Sequence, residues 1–252
     1  MTLDVCFTPA ELIGHSGRGT FVVVDVIRAT STVVTALENG ARSVFPVQTA
    51  DDAARLAQNL GREDVLLCGE RKGLPIEGFD LGNSPQEFND DRVAGKALVM
   101  TTTNGTAALL SVAGLPLPKS GESNGERSRR VLIGAFLNLG AVADAVAGEE
   151  QVTVVCAGKE GRFALEDAVC AGALVARLGE VGADPEPNDA ARAAEALSKR
   201  HMRRLASLFR KVAAGRAIME IGLEDDLDFV AQVDRYEAVP AFGDRKITVS
   251  EV

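Results

Sequence analysis

The chain has 252 residues, 36 of them acidic and 27 basic, for a net charge of -9, and 46% are apolar. That length and apolar content support a sizeable core and exclude a chain dominated by disorder, while the acidic balance argues against a general nucleic-acid grip, which needs a basic face. Four widely spaced cysteines and two histidines, with no Cys-x-x-Cys pair, argue against disulfide frameworks and zinc sites.

No apolar run approaches the roughly 20 residues that span a bilayer. The start, Met1-Thr-Leu-Asp-Val-Cys6, lacks the basic and apolar regions of a signal peptide, so a cytoplasmic protein is expected.

The first strong element is the strand-type run Thr20 to Ile27, which leads through Asp25, Arg28, Thr30, Ser31 and Thr32 into a helical pattern from Val33 to Leu37. A buried strand there delivers Asp25 and Arg28 to a sheet edge. The three hydroxyls sit where the free N–H groups and positive dipole end of a helix attract phosphate. The same residues also read as an ordinary N-cap, with Asp25 as a capping acid.

Strand-type and helical runs then alternate: Ser43 to Val47, Asp51 to Leu60, Asp64 to Cys68, Ala97 to Met100 and Thr106 to Ser111. Arg130 to Ile133, Leu139 to Val146, Val152 to Cys156 and Leu165 to Leu178 continue the pattern. Gly40 and Gly61 stand where C-caps are expected after the first two helices. This alternation predicts an α/β fold with a mixed, largely parallel sheet and helices on both faces, a three-layer α/β/α arrangement. One domain over 1–252 is expected, interrupted by an exposed, turn-rich loop insertion at 115–129.

Toward the C-terminus, Ala190 to Ala214 reads as one long amphipathic helix whose basic Lys199 to Lys211 face is solvated. Leu223 to Val233 carries a second, acidic helical pattern, and Val239 to Val249 reads as a hairpin or edge strand because Pro240 cannot donate to a central ladder. An apolar edge there could pair subunits into a homodimer.

Loops after the carboxyl ends of parallel strands form one ligand-binding edge. Four such loops carry site-like chemistry. The first holds Asp25 and Arg28, the second Glu70 and Arg71, the third Thr102, Thr103, Asn104, Gly105 and Thr106, and the fourth Lys159, Arg162, Glu166 and Asp167. In the third, Gly105 lets backbone N–H groups approach an anion while Asn104 and Thr106 add donors; as plain caps, the hydroxyls would only start a helix.

Asp25, Glu70, Glu166 and Asp167 make the hard oxygen set that Mg²⁺ prefers when it also keeps waters and a substrate phosphate, with Arg28, Arg71 and Lys159 offsetting charge. Glu70 and Arg71 also read as a buried ion pair, and Glu166 and Asp167 as a helix-capping pair. Cys156-Ala-Gly-Lys-Glu-Gly-Arg162 has the Cys-x5-Arg spacing of thiolate phosphatases, although Glu160 would place a negative charge inside the anion loop. An Asp-x-Asp phosphatase motif fails at Ile27.

Taken in order, Asp25-Val-Ile-Arg-Ala-Thr-Ser-Thr32, Gly69-Glu-Arg-Lys-Gly73, Gly82-Asn-Ser-Pro85, Thr102-Thr-Asn-Gly-Thr106 and Leu165-Glu-Asp167 resemble the 2-phosphosulfolactate phosphatase (ComB) family over nearly the full chain. The Asp228-Phe-Val-Ala-Gln-Val-Asp234 helix and the Val-Pro segment after it also follow the family, while the insertion departs from it. The resemblance implies a magnesium-dependent acid phosphatase acting on phosphate esters of 2-hydroxy acids. The naming reaction converts 2-phospho-3-sulfolactate to 3-sulfolactate, in methanogens a step toward coenzyme M.

On that reading Asp25, Glu70 and Asp167, with Glu166 beside them, hold Mg²⁺. Arg28, Arg71 and the Thr/Asn loops fix the phosphoryl group, and Lys159 and Arg162 take the substrate's acid groups. Water and Asp25 both stand as candidate nucleophiles. A non-catalytic phosphometabolite-binding regulatory protein and a Cys156 thiolate phosphatase are the alternatives.

Overall fold

The computed structural model describes residues 1–116 and 129–249. Its strands are β1 (Thr2–Cys6), β2 (Thr20–Val24), β3 (Ser43–Pro46), β4 (Val65–Arg71), β5 (Leu74–Pro75), β6 (Ala97–Thr101), β7 (Arg130–Gly134), β8 (Gln151–Cys156), β9 (Glu186–Pro187), β10 (Pro240–Gly243) and β11 (Lys246–Val249). They form one sheet in the order β5-β4-β6-β3-β11-β10-β7-β2-β8-β1-β9. The helices are α1 (Ala29–Glu38), α2 (Ala50–Leu60), α3 (Asp90–Val93), α4 (Gly105–Ala113), α5 (Leu139–Val146), α6 (Leu165–Glu180), α7 (Asp189–His201), α8 (Leu205–Phe209), α9 (Ala213–Glu220) and α10 (Asp225–Val230).

The expected mixed, largely parallel sheet with helices on both faces is present. Strands β4, β6 and β3 are parallel to one another, as are β7, β2, β8, β1 and β9. The valine-rich β2 is buried at every residue, as a strand covered on both faces must be.

One core cluster draws Val23, Ile133 and Val155 from one parallel set and Val44, Leu98 and Met100 from the other, together with Val33, Val34 and Leu37 of α1 and Ala108, Leu109 and Val112 of α4. Helices α1 and α4 therefore lie between the two sets, and the sheet coils around them. Nine of the ten α1 residues are buried, which explains why its sequence shows no polar face. The outer faces are covered by α5, α6 and α7 on one side and by α2 on the other.

The β10–β11 hairpin joins the two sets through antiparallel pairings with β7 and β3, so the sets run in opposite senses. Twist makes this compatible with a shared site. At about 20–25° per neighbouring pair, the five steps from β2 to β6 accumulate roughly 100–125°, which swings the carboxyl ends of β2 and β6 toward each other around the central helices.

Two sequence expectations change. The long Ala190 to Ala214 helix is broken into α7, a 3₁₀ turn at Met202–Arg204, α8 and α9. Leu205, Leu208 and Phe209 pack into the core, as the apolar face of an amphipathic helix would, but along a chain that turns. The C-terminal hairpin is central rather than at an edge. Pro240 is tolerated because β10 pairs with β7 through Ala241 and Phe242, leaving the proline at the strand's first position. Most of the expected 115–129 insertion lies outside the described residues. Gly40 and Gly61 do follow α1 and α2, with φ of 85° and 83°.

Among the described residues no helix is long and apolar enough to cross a membrane. Strands β4 and β6 approach so closely that a Cβ on Gly69 would lie 2.2 Å from the Thr101 carbonyl oxygen, whereas one on Gly148 would meet nothing within 4 Å. Gly69→Ala is expected to destabilise the fold by about 1–3 kcal/mol in urea unfolding, and Gly148→Ala to stay within about 0.5 kcal/mol.

Candidate active site

A cleft of about 700 Å³ opens where the loops after β2, β4, β6 and β8 meet α9. It is lined by Asp25, Arg28, Glu70, Arg71, Thr102, Thr103, Asn104 and Lys159, all expected from the sequence. Ile27, Lys72, Gly73, Asn83, Glu160, the α9 residues Ala214, Ala217, Ile218 and Glu220, and Ile221 just after α9 also line it. Thr30, Ser31, Thr32, Gly105, Thr106, Arg162, Glu166 and Asp167 are not among its lining residues.

The hydroxyls of the first loop are committed to backbone. Thr30 Oγ1 donates to the Asp25 carbonyl and accepts from the Asp25 N–H, both at 2.9 Å, while Ser31 Oγ donates to Val26 O at 2.9 Å and Thr32 Oγ1 to Asn83 O at 3.0 Å. They staple strand to helix. In the third loop, Thr102 Oγ1 accepts from the Thr106 N–H at 3.0 Å and Thr106 Oγ1 from the Thr102 N–H at 3.1 Å, a reciprocal cap on α4. Asn104 Oδ1 accepts from the Glu160 N–H at 3.0 Å, tying the third loop to the fourth.

Gly105 serves a purpose the sequence did not reveal. A Cβ there would lie 2.5 Å from Ala29 Cβ and 2.8 Å from Asp25 Oδ2, so the glycine makes room for the Asp25 carboxylate between the starts of α1 and α4.

The acids divide by their partners. Burial pushes the Asp25 carboxyl up to about 7; the Ala29 N–H opposes the shift, and Glu166 and Glu70 add to it. Asp167 is also driven well above the usual carboxylate range by burial, then by Asp25 and Glu166, yet its oxygens accept from the N–H groups of Val26 at 2.9 Å and Gly158 at 3.0 Å. Glu166 is raised by burial, against its own backbone N–H and Lys159. Glu70 clamps two loops, its oxygens accepting from Thr103 N–H and Gly73 N–H, each at 2.7 Å.

Among the described residues no three His, Cys, Asp or Glu side chains come together as a ready-made cation cage. Mg²⁺ does not need one, because it is usually held by one or two carboxylates with waters and substrate phosphate. Buried acids that repel one another are the donor set a divalent cation relieves. The residues therefore fit Mg²⁺, with Asp25 and Glu70 the two acids of the set that line the cleft.

The cations are also sorted by geometry. Arg28 Nη1 binds Asp226 Oδ2 at 2.7 Å, with both side chains buried, and its Nη2 donates to Gly73 O at 2.9 Å. Arg71 donates to the carbonyls of Glu70 and Gln48 and to Thr101 Oγ1. Among the described residues Lys72 and Lys159 form no salt bridge, so their ammonium groups remain for a ligand. Asn83, 4% exposed, has no partner for its Oδ1 among the described residues.

Sequence reasoning missed Lys72, Asp226 and the α9 wall. Lys72 stood inside the Gly69 to Gly73 motif and Asn83 inside the Gly82 to Pro85 motif, so both were within reach. Asp226 sits in a run of helix acids that nothing in the sequence distinguishes.

The thiolate alternative is overturned. Cys156 is fully buried, and burial above all, with Asp167 next, pushes its thiol far above the ordinary range, so no thiolate forms there near neutral pH. Arg162 instead closes a local turn, exchanging backbone hydrogen bonds with Lys159 at 2.8 and 2.9 Å.

A mixed α/β sheet that gathers buried acids, lysines and helix starts around one cleft has the layout of a phosphoric monoester hydrolase. The family described as 2-phosphosulpholactate phosphatase matches residues 6–245. Relatives from Gloeobacter violaceus and Pseudothermotoga lettingae, each named a probable 2-phosphosulfolactate phosphatase, are 40% and 39% identical over 242 and 241 residues. The first match covers 95% of this chain and 94% of the relative, the second 95% of each. A Thermotoga petrophila protein of the same name is 38% identical over 88% of each chain. The chain belongs to the 2-phosphosulfolactate phosphatase family, and it is a phosphatase.

Because Asp25 titrates near 7 when folded against an ordinary 3.8, the stability of its protonated form is complete below about 4 and is lost as pH rises through about 7. The shift corresponds to a loss on the order of 4 kcal/mol in metal-free protein. Urea unfolding at pH 4 and pH 8 is expected to show a shallower decline for Asp25→Asn than for the parent protein; equal declines would remove Asp25 burial as the source.

Proposed function

We propose that the protein hydrolyses phosphate esters of 2-hydroxy acids with the aid of Mg²⁺, converting 2-phospho-3-sulfolactate to 3-sulfolactate and phosphate. The observation that carries this reading is the cleft itself, where the buried Asp25 and Glu70 line the same space as Lys72 and Lys159, which form no salt bridge among the described residues. The names of the relatives support the substrate. On this reading the ligand is a small phosphorylated hydroxy acid and the setting cytoplasmic.

Arg28, with N–H donors left over from its two protein contacts, orients the phosphoryl group, and Lys72 and Lys159 take the substrate's carboxylate and sulfonate. Arg162 gives up the role expected for it because it is not part of the cleft lining. Asp25 accepts a proton as the water oxygen bonds to phosphorus. The ester P–O bond breaks, and its electron pair leaves on the 2-oxygen, which becomes the product hydroxyl on protonation. Asp25 and Glu70 would hold Mg²⁺, which would neutralise charge on the phosphoryl oxygens. A pure phosphate binder would gain nothing from buried acids beside its anion.

Phosphate release from 2-phospho-3-sulfolactate and 2-phospholactate is expected with Mg²⁺, lost in EDTA, restored by added Mg²⁺ and unaffected by iodoacetamide on the native protein, whose four cysteines are buried. No release with Mg²⁺ would sink the substrate reading, and EDTA-resistant release the metal. Asp25→Asn is expected to lower kcat by about 10²–10⁴-fold. Rapid quench with ³²P-labelled substrate should trap no labelled enzyme; a labelled Asp25 would make it the nucleophile.

A further inference from the structure

We infer that Asp226, on α10, is a positioning residue for this reaction: it holds Arg28 and, through Arg28, the turn that presents Lys72 to the cleft. The inference rests on the phosphatase reading of the cleft. Asp226 Oδ2 binds Arg28 Nη1 at 2.7 Å, and the side chains are 1% and 2% exposed. Its Oδ1 accepts from Ser84 Oγ at 2.6 Å and Gln86 Nε2 at 3.1 Å, so the carboxylate is fixed from both ends.

A buried ion pair is a poor way to gain stability, since apolar residues of equal volume often do as well. What this pair contributes is orientation. From Arg28 Nη2 the bonds run to Gly73 O at 2.9 Å, from Gly73 N–H to Glu70 Oε2 at 2.7 Å, and from Thr103 N–H to Glu70 Oε1 at 2.7 Å. Arg28, Gly73, Glu70 and Thr103 all line the cleft, as do Lys72 beside Gly73 and Asn83 beside Ser84. One carboxylate on α10 thus sets the position of three loops.

The same contact seats the α9 wall. A Cβ on Gly73 would lie 3.1 Å from Ile221 Cδ1 and 3.5 Å from Ile218 Cδ1, so α9 rests on the turn that Arg28 holds. The chain then reverses at Gly222, with φ 78°, into the helix that carries Asp226. Without the Asp226 charge, the buried guanidinium is drawn to the next acids, Asp25 and Glu70, and turns into the space the phosphoryl group needs.

Asp228 provides a control on the same helix, since it pairs outward with Arg210 at 2.7 Å and is 58% exposed. Asp226→Asn is expected to lower kcat/KM by about 10- to 100-fold, to weaken inhibition by inorganic phosphate, and to speed hydrogen exchange over 70–73. Asp226→Glu, which keeps the charge, should recover part of kcat/KM, and Asp228→Asn should change none of these. If Asp226→Asn does not fold, Ser84→Ala carries the test, with a loss of about fivefold expected from removing one hydrogen bond. Kinetics and exchange equal to those of Asp228→Asn, or an unchanged Ser84→Ala enzyme, would overturn the inference. The exchange comparison needs no turnover, so a parent protein that releases no phosphate would fail the functional reading alone.

Discussion

The starts of α1 and α4 meet across Asp25, and the absence of a side chain at Gly105 allows it: a methyl group there would overlap both Ala29 and the Asp25 carboxylate. The sheet coils around those two helices, so their contact fixes how far the two parallel sets of strands close on each other. Two positive helix ends pointing at one buried acid partly offset the free energy of its burial, and the Ala29 N–H does so directly. The cleft is built outward from that point.

Most polar groups around the cleft bind the protein rather than a ligand. The first-loop hydroxyls, the Thr102 and Thr106 pair, Glu70 and Asp167 all satisfy backbone N–H or carbonyl groups of loops that carry no regular ladder. Such groups lock the loops, while among the described residues Lys72 and Lys159 form no salt bridge and the Asn83 Oδ1 has no hydrogen-bond partner. The arrangement separates support from chemistry: residues two positions apart in one loop do different work. It also leaves the molecule with like-charged buried acids, Asp25, Glu166 and Asp167, a strain that active sites carry and the surrounding fold sustains.

Much of the fold was legible. The run of valines in β2, the alternation of strands and helices, and the glycine stops after α1 and α2 follow from local burial and backbone preference, so the sequence declares them. The central place of the hairpin was not legible, because Pro240 forbids a ladder bond at one position only and pairing decides whether that position needs one. The break between α7 and α9 was hidden likewise, since Leu205, Leu208 and Phe209 fit a helical period whether or not the helix bends.

By itself the sequence determined which loops line the cleft, because acids, lysines, hydroxyls and glycines after parallel strands gather at one sheet edge. It also determined the family, through five short motifs in order. Only the tertiary structure decided which members of each motif face the cleft, since Thr30 and Thr103, or Asp226 and Asp228, are chemically alike. It is packing and hydrogen bonding across distant loops that turn Thr30 to its own backbone, Asp226 inward to Arg28, and Asp228 out to Arg210.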